Sequence, residues 1–427
     1  MNILVIGNGF DLAHGLPTKY EHFLNFVKVY TENKHIFLPG KSIKEIWEES
    51  EDDEREYLQF FGNFCDQHPK LFSEFVDVIS DNIWLEYFMS IYIVEKKAGK
   101  DGWIDFENEI SKIIQSFDND IHRLGADYSL DDKVKELSND FLLEKYSKYT
   151  WVSTSGDESS DYHNNEITFR EIRDRLLIDL NKLIRALEIY LTVYVNEVQY
   201  NEESPDIKEI FEKKDEQGNI TAFINTKILS FNYTTTFKRI YKHDFDIDYI
   251  HGKADINNTI ETNNMVLGID EYLPKKKRNR ETEFIAFKKF YQRIHKGTGC
   301  KYKEWTDVIK GDFVDYQIEL EKSRAEKNLM NLKVIANKLK KQYLNKHHIY
   351  FFGHSLDITD KDILRDLILN DNVHTTIFYH DKDAMGQQIA NLVKVIGQDE
   401  LIRRTEGSTK TIEFKLQQPM KSIDKLR

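Results

Sequence analysis

The strand-forming segments of this chain fall in three blocks that lie far apart, and that spacing restricts the fold more than any other feature. The first block is "NILVIG" at residues 2–7. It is apolar, β-branched and closed by glycine, the pattern of a buried strand. "TKILSFN", "DIDYIHG" and "NMVLGID" form a second block over residues 226–270. "HHIYFFG", "HTTIFYH" and "KTIEFKL" form a third over residues 347–416. The chain from about Tyr20 to Tyr200 instead repeats apolar residues every three or four positions, as amphipathic helices do. A second helical stretch covers about residues 282–346, and "DKDILRDLIL" reads as a crossover helix inside the third block. Strands joined through helices favour a parallel sheet covered on both faces. The fold class expected is therefore α/β with large helical insertions. Its core is discontinuous, made of 1–27, 222–273 and 347–418, with a helical insertion at 28–221 and a second at 274–346. "NEESPDIKEIFEKKDEQGN" within the first insertion reads as a linker carrying one short helix.

Composition narrows the function classes. The formal charge of −13 opposes broad nucleic-acid binding, which usually needs a basic face. The basic run "KKKRNR" is read as a solvated loop, with a phosphate or nucleic-acid contact as its functional alternative. The polar stretch at 153–166 is read as a surface loop. Cys65 and Cys300 are the only cysteines and cannot build a four-cysteine zinc site. They are read as buried thiols, which suits a reducing cytoplasm. His347 and His348 lack a convincing metal-ligand spacing, so no metal is expected. No signal peptide, lipidation motif or membrane-length apolar run is visible, and the expected location is cytoplasmic.

The polar motifs sit where a parallel sheet binds ligands, beyond the carboxyl ends of its strands. "GNGFD" follows the first strand, "FNYT" and "HG" end strands of the second block, and "GHSLD" follows the first strand of the third. Three of 19 glycines and one of six prolines fall within residues 7–17, "GNGFDLAHGLP". The common dinucleotide fingerprint needs a glycine three residues after its second, and Leu12 stands there. A tight turn at Gly7, Asn8 and Gly9 could still point N–H groups at a pyrophosphate, with Gly15 and Pro17 shaping a closing loop. A ligand-free strand-to-helix turn explains the same residues.

The spacing of "GNGFDLAHGLP" resembles the first motif of the sirtuin fold, where G-A-G, five residues and G-I-P bind NAD. "LSFNYTTTF", "YIHG" and "FFGHSLDITDKDILRDLI" resemble later sirtuin stretches, in the same order. With "WIDFE", these strings are similar to the AbiH family of bacterial abortive-infection proteins, and that resemblance runs the length of the chain. The sirtuin-like resemblance covers only the strand blocks. It implies a Rossmann-like, sirtuin-like sheet with NAD as substrate or ligand. Gly7, Asn8, Gly9, Phe10, Gly15, Pro17, Gly353 and Ser355 would then contact the nucleotide, and Asn232, His251 and Asp11 would carry chemistry. Asp11 stands where sirtuins have Ser, Tyr20 where they have Arg, and Thr234 where they usually have Asp. Those departures, and the missing zinc module, put protein deacetylation in doubt and leave NAD hydrolysis standing. The AbiH resemblance implies an antiviral effector that arrests the infected host by depleting NAD. A non-catalytic nucleotide-sensing module is the alternative. A small-molecule nucleotide and a phage-derived trigger are the expected partners, and a homo-oligomer is compatible with the sequence.

Breaking a nicotinamide–ribose bond needs little acid help, because the cationic leaving group departs neutral. The protein must position the nucleotide, stabilise an oxocarbenium-like transition state and place a water near a base. Asn232 offers donors and an acceptor, His251 a base near neutral pH, and Asp11 negative charge. Each has a plainer reading: Asn232 and His251 as turn residues, Asp11 as a helix cap, and Ser355, Asp357 and Asp360 as caps of the following helix. His14 lines the pocket or faces solvent. Trp103 is read as core, and the family resemblance implies that Glu107 could reach the pocket.

Overall fold

The computed structural model describes residues 1–37, 52–98, 104–124, 136–147, 167–214, 220–325, 347–407 and 410–420. Trp103 and the 153–166 stretch lie outside the described residues. The chain divides into two compact units. One comprises Met1–Thr18, Val195–Ala254 and Lys296–Arg427; the other comprises Lys19–Tyr194 and Asp255–His295.

The first unit holds a six-stranded sheet in which every neighbouring pair is parallel. Its strands are β1 (Asn2–Ile6), β4 (Thr226–Ser230), β5 (Ile247–Tyr249), β6 (His347–Phe352), β7 (Val373–Tyr379) and β8 (Ile412–Leu416). β2 (Glu212–Lys214) and β3 (Ile220–Phe223) form a separate antiparallel pair. The order across the sheet is β5-β4-β1-β6-β7-β8. Counting sheet strands along the chain, this is 3-2-1-4-5-6. After β5 the chain returns to the centre of the sheet and then builds outward on the other side, so the order reverses between β1 and β6.

β1 shows why the sheet is buried on both faces. Ile3 and Val5 join one core cluster with Leu229, Ile349 and Phe351. Leu4 and Ile6 point the other way, into a cluster with Phe10, Ile228, Phe237 and Phe352. Alternation of side chains along a strand sends successive residues to opposite faces. The Lys361–Ile368 helix, the expected crossover, covers the first face through Leu364 and Leu367.

Three expectations need correction. The Pro205–Phe211 segment is not a linker helix: Ile207, Ile210 and Phe211 are buried in the second core cluster. The second helical stretch is divided. Lys289–Lys296 lies almost wholly in the other unit, whereas Tyr302–Ala325 covers the sheet through Tyr302, Trp305 and Ile309. "NMVLGID" forms no sheet strand. Its Leu267 N–H and C=O bond the Gln292 side chain at 3.1 and 3.0 Å, and Ile269 makes only an isolated bridge with Lys288. An amide side chain has taken the ladder's place, so apolar content alone misreads the segment.

The second unit is helical. Phe26 packs against Phe61, Phe75 and Tyr190, and the Phe106 ring stacks on Tyr20 and Phe88 at 4.1 and 4.0 Å. Buried Arg185 pairs with Glu188 at 2.7 Å and with Glu74 at 2.8 Å. Glu188 also accepts from Asn258 and from the Asp255 N–H, fixing the loop that follows the sheet unit's second segment. Glu107 ion-pairs with buried Lys289 at 2.6 Å. "KKKRNR" is exposed turn, as its solvated reading requires. Cys300 is exposed and Cys65 half-buried, so neither is the buried thiol expected. No described helix is long and apolar enough to cross a membrane.

Candidate functional site

The carboxyl ends of β1, β4, β5 and β6 carry the four motifs, and adjacency in the sheet brings their loops together. At the centre, the loop after β1 interlocks with the loop after β6. Gly7 N–H donates to Phe352 O at 3.2 Å and Gly9 N–H to Gly353 O at 2.8 Å. A Cβ on Gly9 would lie 2.8 Å from the Gly353 Cα and carbonyl oxygen, and one on Gly7 2.7 Å from that oxygen. Gly353 itself has φ +64°. The close approach that these glycines permit is therefore between two protein loops. The expectation that Gly7 and Gly9 hold free N–H groups toward a pyrophosphate is corrected: Gly7 donates to the last carbonyl of β6 and Gly9 to the first carbonyl of the loop after it.

The other residues of the first motif separate by environment. Asn8 is exposed and accepts from the Thr18 hydroxyl at 2.7 Å. Phe10 is fully buried, its ring 5.8 Å from Phe237 and 6.2 Å from Phe352. It is a core residue, and any contact it makes with a ligand runs through its backbone. Gly15 adopts φ +81° beside the Asn201 side chain, and Pro17 is half-buried. His14 does not face solvent. It is fully buried, with Nδ1 2.7 Å from Phe10 O, and burial depresses its pKa to about 4.

Asp11 lies inside the short Asn8–Ala13 helix, whose cap position is Gly7, so Asp11 is not the cap. It is 1% exposed, and Thr234 Oγ1 donates to its Oδ2 at 2.6 Å. Two of the three residues that depart from the sirtuin pattern, 223 positions apart, thus touch. Burial raises the Asp11 pKa to about 6, and the Thr234, Thr236 and Asn232 side chains with the Arg239 charge hold it from going higher. The nearby Asp11 charge adds to burial in pushing Tyr249 up to about 12. Asp11 Oδ1 and Asn232 Nδ2 are both buried without a hydrogen-bond partner. The Asn232 amide is close enough to hold the Asp11 pKa down but completes no hydrogen bond to it, and a buried donor or acceptor left so is costly unless something else occupies it.

His251 follows β5 and is 6% exposed. Its Nε2 lies 3.4 Å from Asp360 Oδ1, and His354 Nε2 lies 3.8 Å from Asp360 Oδ2. The Phe231 ring meets both imidazoles edge-on, at 5.4 and 4.3 Å. Asp357, as expected, is a cap, accepting from Thr359 N–H at 3.0 Å. Asp360 is not a side-chain cap of the Lys361–Ile368 helix. Its carboxylate turns to the histidines instead. Ser355 is exposed and caps nothing among the described residues; its carbonyl accepts from Asn391 at 2.9 Å. Leu356, next in line, is buried with φ +58°, a strained conformation for a branched residue, and such strain collects at functional loops.

His354 and Asp360 were not singled out as site residues from sequence. His354 stands inside the "FGHSLD" string, so its position was visible, but only the fold brings it within reach of His251. Among the described residues, no group of three His, Cys, Asp or Glu side chains is arranged to hold a metal.

A family model described as bacteriophage abortive infection AbiH matches residues 3–380. That span runs from β1 through β7 and contains Asp11, Asn232, Thr234, His251, His354 and Asp360. No curated protein and no solved structure matches the chain.

Proposed function

The chain belongs to the AbiH family, and so to phage abortive infection, and we propose that it acts there by binding NAD beyond the carboxyl ends of β1, β4, β5 and β6 and hydrolysing it to nicotinamide and ADP-ribose. The observation that carries this reading is the buried pair of unpartnered polar atoms, Asp11 Oδ1 and Asn232 Nδ2. A ribose hydroxyl can donate to the first and accept from the second. The 3-2-1-4-5-6 strand order supports it, since doubly wound sheets of this order take dinucleotides where the strand order reverses.

In this reading the chain's residues divide the work. Asn232 orients the nicotinamide-side ribose. Asp11 places negative charge beside the carbon that becomes cationic, in a buried site where charge is poorly screened. His251 accepts the proton of the attacking water. Water adds to the ribose carbon as the bond to nicotinamide breaks. The bonding electrons leave with the pyridine ring, and one proton is released. A second reading, a nucleotide sensor without turnover, is favoured by one observation: Thr234 supplies a hydroxyl where a sirtuin-like site usually has a carboxylate.

Purified full-length chain, assayed for nicotinamide release with and without phage lysate, separates the two. Asn232→Ala and His251→Ala are each expected to lower release by roughly 10²-fold, with NAD affinity by calorimetry falling far less. NAD binding with no release under any trigger makes the chain a sensor. Absence of NAD binding overturns both.

A further inference from the structure

Asn232, Thr234 and Thr236 are buried and alternate along "NYTTT" with the half-buried Tyr233 and Thr235. Thr234 gives its hydroxyl proton to Asp11 Oδ2 at 2.6 Å. Thr236 is 1% exposed, and its Oγ1 is buried without a hydrogen-bond partner. Its hydroxyl is close enough to Asp11 to help hold that carboxyl's pKa down, as the Asn232 amide is, yet neither group completes a bond to it. Three polar atoms around one carboxylate are thus left without partners: Asp11 Oδ1, Asn232 Nδ2 and Thr236 Oγ1. Their capacities match one hydroxyl group. The first accepts, the second donates, and the third can donate. A hydroxyl that donates to Oδ1 and accepts from Nδ2 and Oγ1 uses its one proton and both lone pairs. An ether oxygen or a C–H has no proton to give Oδ1, and a phosphate adds like charge beside the carboxylate.

We propose that these three atoms seat a single hydroxyl of the ligand's ribose, and that Thr236 is a specificity-determining residue that makes the site select ligands with that hydroxyl over deoxy analogues. The inference rests on the nucleotide reading above and deepens it to a substrate class. A site built to hydrogen-bond a buried hydroxyl rejects the analogue lacking it, because its own groups are then left unpaired. Local sequence does not separate Thr236 from its two neighbouring threonines.

ADP-ribose, the product of the proposed reaction, is the probe, together with its forms lacking the 2″ or the 3″ hydroxyl of the terminal ribose. Calorimetry on the full-length unmutated chain is expected to show one of the deoxy forms binding roughly 10²-fold more weakly than ADP-ribose. In Thr236→Val, which keeps the shape of the side chain, ADP-ribose is expected to bind about tenfold more weakly, and loss of the same hydroxyl to cost about tenfold less than before. Thr236→Ser is expected to keep the discrimination. Equal binding of the three probes overturns the proposal, as does an undiminished penalty in Thr236→Val or no binding of ADP-ribose at all. Urea unfolding without ligand adds a structural comparison. Thr234→Val removes a bond and is expected to lower stability more than Thr236→Val, which removes an unpaired hydroxyl. Equal losses would put Thr236 Oγ1 in a bond within the protein and overturn the proposal. If Thr236→Val does not fold, Thr236→Ala takes its place, and equal binding of the probes to the unmutated chain remains decisive. Nicotinamide release without coupling between Thr236 and a ribose hydroxyl overturns this inference alone. Hydroxyl-dependent binding of ADP-ribose without release overturns the hydrolase reading alone.

Discussion

Gly353→Ala is expected to cost the fold roughly 3 kcal/mol or more in urea unfolding. Two effects add. The residue sits at φ +64°, where a side chain is strained by about 1–2 kcal/mol. A Cβ there would also overlap the Phe10 nitrogen and the Gly9 carbonyl carbon, which are backbone atoms with nowhere to move. The loops after β1 and β6 would have to part, breaking the Gly9 N–H bond to Gly353 O. Gly9→Val is expected to act in the same way, lowering the melting temperature along with any nucleotide binding. Gly311→Ala and Gly386→Ala are the controls. Both glycines lie in helices with open space at the Cβ position. Alanine there is expected to be neutral or to stabilise by about 0.5–1 kcal/mol. A Gly353→Ala protein as stable as these controls would remove the interlock from the fold's determinants.

Asp11→Asn is expected to lower nicotinamide release by roughly 10²-fold while making the protein more stable at neutral pH. The signs follow from burial. The Asp11 pKa rises from 3.8 to about 6 on folding, so the folded state binds the proton more tightly. Its contribution to stability is full below pH 4 and is lost as pH rises to 6, an order-of-magnitude cost of about 3 kcal/mol above that. Asparagine keeps the shape and can accept from Thr234 without carrying charge. The gain from Asp11→Asn should therefore be near zero at pH 4 and reach its full size by pH 7. His14 titrates in nearly the same window with the opposite sign. Its pKa falls from 6.5 to about 4, so it destabilises the fold on acidification through that range. In the unmutated protein the two slopes oppose each other; in Asp11→Asn the His14 slope remains and stability should climb from pH 4 to 6.5. Urea midpoints across pH read this directly. Stability lost at pH 7 together with full activity would leave Asp11 a structural residue. Partial recovery of turnover in Asp11→Asn combined with Thr234→Asp would show that the carboxylate can sit on either side of the same hydrogen bond.

The sequence by itself determined the sheet strands and their neighbouring loops. "NILVI", "TKILS" and "HHIYFF" each carry consecutive apolar residues, Ile3–Ile6, Ile228–Leu229 and Ile349–Phe352, because the central strands of a parallel sheet are buried on both faces. The motifs at their ends were legible for the same reason: Gly7, Asn232, His251 and Gly353 each stand one or two residues past a strand. "NMVLGID" carries the same signal without forming a sheet strand, because Gln292 satisfies the Leu267 backbone and the segment belongs to the helical unit. Roles within the site were decided only by the tertiary structure. Local sequence makes Asp11 and Asp360 equally good caps. Gly7 occupies the cap position of the first helix, Asp360 stands at the cap position of the Lys361–Ile368 helix without a side-chain cap bond, and sheet order turns the two carboxylates toward Thr234 and His251. Those partners lie 223 and 109 residues away, and a hydrogen bond across such a separation leaves no periodic trace in the chain. The glycines were misread in the same way: permissive backbone signals a close approach, but only the fold reveals that Gly9 approaches Gly353.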